Sequence, residues 1–302
     1  VQKYQEEQHK ENSYITILGL HKKLPIQDAW IKLNILTEEE IKRKQTETQW
    51  DFLNQYDEYS GRKSGRTYDA ETLVIEQGNK VVLAGPGMGK STLCKKLFLQ
   101  AEAMNKFAIK VRLWDVAGYM REGVAFEIAL CKAMCQSLAV EFTKAELNHF
   151  FSIIILDGLD ECGDYRRTVA KSIVAWGYGH PYQMIIVTSR PIGYDLTELA
   201  DYRHYQILPM NEWQMESSSQ KLMELVQRDC EKQYQWFIKK IQNRELHKLA
   251  CRSPLVLGFM VQLSLKKKDF GNNKISLYQE IVNEWLQGSS RDNEKIISEV
   301  EL

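Results

Sequence analysis

The chain has 302 residues, enough for one large domain or two modest ones. It carries 40 basic and 40 acidic side chains, so its formal net charge is +0 and bulk electrostatic binding to nucleic acid or to an anionic membrane is not expected. Hydrophobic residues make up 44% of the chain, which is typical of a globular protein, and the apolar runs are too short for a membrane span.

The six cysteines are scattered and include no CxxC pair, which argues against a disulfide framework and against a zinc site. This pattern suits a reducing compartment, so we expect a cytoplasmic protein without a membrane partner. The chain begins at Val1 and stops at Leu302 without an evident helix cap or turn. We therefore expect a fragment of a longer protein.

Residues 1–70 are predicted to form an N-terminal extension. Residues 1–12 are polar and helical in character, whereas residues 24–33 look extended, with apolar residues that alternate near the end. Residues 37–69 are dominated by charged and polar side chains, a composition typical of a long loop or insertion.

Strands alternate with helices from about residue 71. We predict strands over residues 81–84, 107–113, 153–156, 184–187 and 205–208, and helices over residues 91–104, 122–140 and 166–176. The strands are nearly continuous apolar runs, which favours an α/β fold with a parallel five-stranded sheet and helices on both faces. Residues 71–211 would form this nucleotide-binding domain, and residues 212–302 a small all-helical domain.

A phosphate-binding P-loop lies between the first of these strands and the first helix. It consists of Ala84, Gly85, Pro86, Gly87, Met88, Gly89, Lys90, Ser91 and Thr92. The glycines let backbone N–H groups form a concave nest, and the following helix adds the positive end of its dipole. Lys90 would supply a charge for the β- and γ-phosphates, and Ser91 a hydroxyl ligand for Mg²⁺. Ala84 stands where the usual pattern has its first glycine.

An acidic turn follows the third predicted strand. Asp157 ends an apolar run, as in a Walker B motif, and would hold Mg²⁺ directly or through water. Asp160 and Glu161 lie on the next turn, and either could orient or deprotonate the attacking water. The residues alone do not decide between these two acids.

Two further positions are candidates for nucleotide contact. Arg190 follows the fourth predicted strand, where it could reach the γ-phosphate or form a surface ion pair; the two motifs upstream favour the γ-phosphate. Pro254 suits the start of a helix. The residues themselves assign it no contact with nucleotide.

Together, Ala84–Thr92, Leu156–Glu161 and Thr188–Pro191 resemble a NACHT domain of the STAND class of P-loop NTPases. The resemblance continues through residues 245–250, 253–257 and 277–282, and the leader is similar to that of bacterial-type NACHT proteins. It implies that the Arg190 strand lies between the two Walker strands and that Pro254 lies against adenine. It also implies a switch that rests with ADP and self-associates with ATP.

Many bacterial relatives act in antiphage defence, with effector and sensor domains on either side of the NACHT domain. For this chain, the effector, sensor and winged-helix domains would lie outside residues 1–302. The resemblance does not identify the trigger ligand. The predicted function is therefore a slow ATPase switch in innate immune or antiphage defence that uses ATP, ADP and Mg²⁺.

Two other functions of P-loop proteins fit this sequence less well. A steady-turnover motor of the AAA+ type more often has Glu directly after the first Walker B acid, where this chain has Gly158. A small-molecule or nucleotide kinase would need an Arg-rich lid, and the sequence shows none. Measured ATP turnover separates the switch from the motor.

Overall fold

The structure is a computed structural model that describes residues 1–17, 23–37, 67–136, 142–192, 194–284 and 286. The predicted loop over residues 37–69 lies almost entirely outside the described residues. In the described part of the chain the strands are β1 Tyr14–Thr16, β2 Lys23–Pro25, β3 Asn34–Thr37, β4 Tyr68–Asp69, β5 Lys80–Leu83, β6 Ala108–Arg112, β7 Ile153–Asp157, β8 Met184–Ser189 and β9 Arg203–Ile207.

The described helices alternate with the strands of the main sheet and then dominate the C-terminal part. They are α1 Gln2–Asn12, α2 Ile26–Ala29, α3 Lys90–Ala103, α4 Leu113–Arg121, α5 Phe126–Cys135, α6 Lys144–Phe150, α7 Arg166–Gly179, α8 Glu212–Val226, α9 Glu231–Ile241, α10 Arg244–Arg252, α11 Pro254–Leu265 and α12, residues 274–284. Short 3₁₀ helices span Ala70–Val74 and Leu159–Tyr165.

The main sheet has the order β4-β3-β9-β5-β8-β7-β6. Its five strands from β9 to β6 are mutually parallel and match the five predicted strands within a few residues. Strand β8, which precedes Arg190, lies between β5 and β7, as the resemblance implied. The α/β fold with a parallel, P-loop NTPase-like sheet is therefore confirmed.

The sheet is wider than the predicted five strands. Strands β3 and β4 extend it on the β9 side, and both new pairings are antiparallel. Buried Ile35 lies opposite Ile207 in this register, so the edge of the parallel sheet gains an apolar neighbour. The pairing joins segments far apart in the chain, which local patterns do not reveal.

Two local predictions differ from the structure. Of the predicted helix over residues 122–140, Phe126–Cys135 form α5, whereas residues 122–125 form a turn at Gly123, and residues 137–140 lie outside the described residues. Gly123 has a φ of 84°, in the left-handed region that a helix cannot accommodate. Residues 24–33 were expected to be extended, but Ile26–Ala29 form a short helix in which Ile26 and Ala29 are buried.

The chain divides into two compact units. The first contains the described residues within 1–14, 32–53 and 63–208, and the second those within 15–31, 54–62 and 209–302. Both faces of the parallel strands are buried in the first unit, as the all-buried Ile153–Asp157 strand shows. The second unit has its own core, built mainly from α8 to α11, and confirms the helical C-terminal part.

Candidate functional site

The P-loop connects β5 to α3 through a sharply curved backbone. Gly87 and Gly89 have φ values of 71° and 88°, so both require the left-handed conformation that glycine adopts without strain. The N–H of Ala84 donates to the carbonyl of Ser189 over 3.1 Å, which ties the start of the loop to β8. The 14-residue helix α3 begins at Lys90, and its N-terminus provides a site suited to phosphate.

Lys90 folds back over this loop. Its ammonium Nζ donates to the carbonyl of Ala84 over 3.1 Å, and the side chain is half-buried. Burial lowers the pKa of Lys90, while the nearby Asp160 carboxylate acts in the opposite direction. Ser91 is exposed in the first turn of α3, where its hydroxyl is accessible to a ligand.

Asp157 ends β7 and is 9% exposed. Its Oδ1 accepts a hydrogen bond of 2.6 Å from the hydroxyl of Thr188, and the buried thiol of Cys94 on α3 lies close enough to be affected by its charge. Burial is the main cause that raises the pKa of Cys94, and the Asp157 charge adds to it. The hydrogen bond from Thr188 to the carboxylate thus comes from a neutral donor.

The donor set at this end of the sheet suits Mg²⁺. Asp157 offers a carboxylate and Ser91 a hydroxyl, and such oxygen ligands are the ones that Mg²⁺ prefers. Within the described ranges, no cluster of three or more His, Cys, Asp or Glu side chains could hold a metal ion. Phosphate oxygens and water would therefore have to complete the coordination of the ion.

Asp160 and Arg190 form a close pair. The backbone N–H of Arg190 donates to Oδ1 of Asp160 over 2.9 Å, and Nε of Arg190 lies 3.0 Å from Oδ2. Both carboxylate oxygens of Asp160 are thus engaged, and its side chain is only 12% exposed. Arg190 keeps 47% of its side chain exposed, so its guanidinium is still accessible from solvent.

Glu161 lies beside this pair and is exposed. Its side chain lies over Gly158, because a Cβ on Gly158 would be 3.1 Å from the Glu161 carboxyl. Gly158 also has a φ of 84°, so both the backbone and the close approach favour glycine at this position. Of the two candidate acids, Glu161 is the more accessible.

Pro254 belongs to the second unit, where it occupies the first turn of α11. The preceding Ser253 caps this helix, because its hydroxyl accepts from the N–H of Val256 over 3.3 Å. Proline is well suited to this position because it has no N–H to leave unpaired. The implied contact of Pro254 with adenine stays a prediction.

The structure shows a contact with Asp157 that the sequence did not assign, although Thr188 belongs to the Thr188–Pro191 motif. Thr188 and Cys94 are both fully buried; Thr188 donates to Asp157 from β8, and Cys94 on α3 is close enough for the Asp157 charge to raise its pKa. The register pairs Leu156 with Val187, so Asp157 and Thr188 are neighbours on adjacent strands. The strand order that the resemblance implied places the two strands side by side, but their register is needed to pair Asp157 with Thr188.

No protein-family model and no curated protein matches the chain. Solved structures with a related fold include a DNA replication initiation factor, which is 15% identical, covers 60% of this chain and 59% of its own, and has a TM-score of 0.37. The replication initiator DnaA bound to AMPPCP and single-stranded DNA is 14% identical, with 75% and 63% coverage and a TM-score of 0.37. Domain III of Thermotoga maritima DnaA is 12% identical, with 64% and 87% coverage and a TM-score of 0.35.

The chain thus spans less than two thirds of the length of the first two neighbours. TM-scores below 0.5 at such low identity do not transfer a function to this chain. Across the described residues, moreover, we find no helix with the length and apolar character that crossing a bilayer requires.

Proposed function

We propose that the protein is an ATP- and ADP-binding NTPase of the NACHT type that acts as a signalling switch. One observation carries the proposal: the P-loop, Asp157, Asp160 and Arg190 converge at the carboxyl ends of neighbouring parallel strands. This edge of an open α/β sheet is where ligands bind. Lys90 and Arg190 supply positive charge for a nucleoside triphosphate, and Asp157 can face it through Mg²⁺.

The residues have distinct roles in this proposal. The loop N–H groups and Lys90 bind the phosphates, while Ser91 and Asp157 would hold Mg²⁺, which neutralises phosphate charge when bound. Glu161 orients the water that attacks the γ-phosphorus, because its carboxylate is accessible and that of Asp160 is engaged by Arg190. The bond between the β,γ-bridging oxygen and the γ-phosphorus breaks, which releases ADP and phosphate.

The signalling role extends this activity. Following the resemblance, residues 71–211 form the NACHT domain between the extension of residues 1–70 and the helical domain of residues 212–302. Pro254 contacts adenine, and ATP promotes self-association after an unknown trigger ligand is sensed. Effector and sensor domains outside this chain would give the output in innate immune or antiphage defence.

Nucleotide analysis tests the proposal directly. The purified protein is denatured, the released nucleotide is identified by mass spectrometry, and ADP and ATP affinities are measured by calorimetry. We expect adenine nucleotide to be bound and ATP to be hydrolysed slowly. Absence of any nucleotide affinity would reject the proposal, and fast steady turnover would favour the motor.

A further inference from the structure

Thr188 joins the Walker B carboxylate to the backbone that follows it. It is fully buried near the end of β8, one strand away from Asp157. Its hydroxyl donates to Oδ1 of Asp157 over 2.6 Å and accepts from the N–H of Gly158 over 3.0 Å. A hydroxyl has one proton and two lone pairs, so both bonds can form at once.

The two bonds fix different parts of the same turn. Gly158 takes a left-handed conformation with φ 84° and ψ 57°, which turns the chain from β7 into the Leu159–Tyr165 helix. The bond to its N–H fixes this turn, and the bond to Oδ1 restricts rotation of the Asp157 carboxylate. A bond of 2.6 Å from a hydroxyl to a carboxylate is in the short range of charge-assisted hydrogen bonds.

The carboxylate of Asp157 keeps its negative charge in this arrangement and can therefore bind a cation. The hydroxyl of Thr188 is a neutral donor, and the buried Cys94 on α3, near the carboxylate, is uncharged as well. Neutral donors orient a carboxylate without cancelling its charge. The loss of a group that orients a metal ligand in this way typically weakens metal binding about ten- to a hundredfold.

We propose that Thr188 is a positioning residue that holds Asp157 in the orientation needed to bind Mg²⁺ with the nucleotide. The inference rests on the proposed nucleotide-binding function and adds a residue to it. Thr188 itself contacts neither phosphate nor the ion in this proposal and acts through Asp157 and the turn at Gly158. The orientation of Asp157 depends on the hydroxyl of Thr188 and not on the volume of its side chain.

Two substitutions separate hydroxyl from volume. Thr188→Val keeps the shape and removes the hydroxyl, whereas Thr188→Ser keeps the hydroxyl. ADP affinity is measured by calorimetry in EDTA and across a Mg²⁺ titration. We expect Thr188→Val to raise the Mg²⁺ concentration for half-maximal tightening by roughly tenfold or more. Its affinity in EDTA should match that of the unchanged protein, and Thr188→Ser should respond to Mg²⁺ nearly normally.

The outcomes distinguish this inference from the function on which it rests. A wild-type protein that binds no nucleotide in EDTA or Mg²⁺ overturns both. Nucleotide binding with an unchanged Mg²⁺ response in Thr188→Val overturns only the role of Thr188, as does an equal loss of affinity in EDTA. Thermal melting verifies folding, and if Thr188→Val does not fold, Thr188→Ala is compared with Thr188→Ser by the same measurement.

Discussion

Lys80 is a charged side chain at a fully buried position, at the start of β5. Its ammonium donates to the carbonyls of Glu76 and Gly78 over 2.6 and 2.7 Å. These bonds fix the turn that leads into the strand. Burial lowers the pKa of Lys80 to about 8. A lysine in this position serves the fold rather than phosphate binding.

This pKa predicts how stability changes with pH. Between pH 8 and the ordinary lysine value of 10.5, the unfolded chain binds more protons at Lys80 than the folded protein does. The contribution of Lys80 to the free energy of unfolding should therefore rise with pH across this window and stay constant below it. Urea unfolding of wild type and Lys80→Met at several pH values checks this, since other titrations cancel in the difference. A difference that is independent of pH would contradict it.

Lys90 differs from Lys80 because its ammonium lies over the P-loop. We expect Lys90→Ala to weaken ADP binding by roughly tenfold or more, because a hydrogen bond to a charged group contributes about 1.5–3 kcal/mol. Alanine is a good helix former, so α3 should remain intact. The matched control is Lys171→Ala, at an exposed position on α7. Unchanged affinity in Lys90→Ala, measured by calorimetry, would be evidence against the phosphate site.

If Asp160 and Arg190 act as a pair, their substitutions should affect ATP turnover in a coupled way. Asp160→Ala and Arg190→Ala should each slow ATP turnover while leaving ADP affinity largely intact. Residues that act through one contact are not additive, so the double variant should be little slower than the slower single variant. Single-turnover rates provide the measurement, with Glu161→Gln as an independent comparison. Fully additive losses, or loss of ADP binding in Asp160→Ala, would refute the shared role.

At the scale of elements, helix α1 contacts strand β6, which is an edge of the described sheet. Tyr4 is fully buried and makes edge-to-face contacts with Phe142 and Phe151, with ring centroids 5.2 and 5.7 Å apart. Gln5 donates to the carbonyl of Ala108 over 2.6 Å, so the helix also satisfies a backbone group of the edge strand.

This packing predicts a large loss of stability when its aromatic anchor is removed. Tyr4→Ala should lower the free energy of unfolding by about 3–5 kcal/mol, as is typical for a large buried aromatic side chain. Tyr14→Ala is the matched control, because Tyr14 is 47% exposed. Urea denaturation gives both values. Equal effects of the two substitutions would show that α1 does not depend on this anchor.

Elements were predictable where a local pattern determines them. Helix α1, the five parallel strands and α3 follow from composition and periodicity, and the predicted bounds lie within a few residues. Strands β3 and β4 were missed because their hydrogen-bond partners are distant in sequence. Within the site, Asp160 and Arg190 were both candidates, but their pairing depends on the geometry of the turn after β7, which local patterns do not give.

At the scale of the whole molecule, the proposed switch predicts slow turnover of ATP by the isolated protein. Arg190 is paired with Asp160, and complete phosphoryl-transfer sites commonly obtain further positive charge from a neighbouring protein. We therefore expect a mostly monomeric protein with bound adenine nucleotide and few turnovers, by light scattering and phosphate release. Self-association requires a ligand that binds the assembled state more tightly, so ATP should increase the apparent mass more than ADP does. Rapid multiple turnover that is independent of protein concentration would instead favour a motor ATPase.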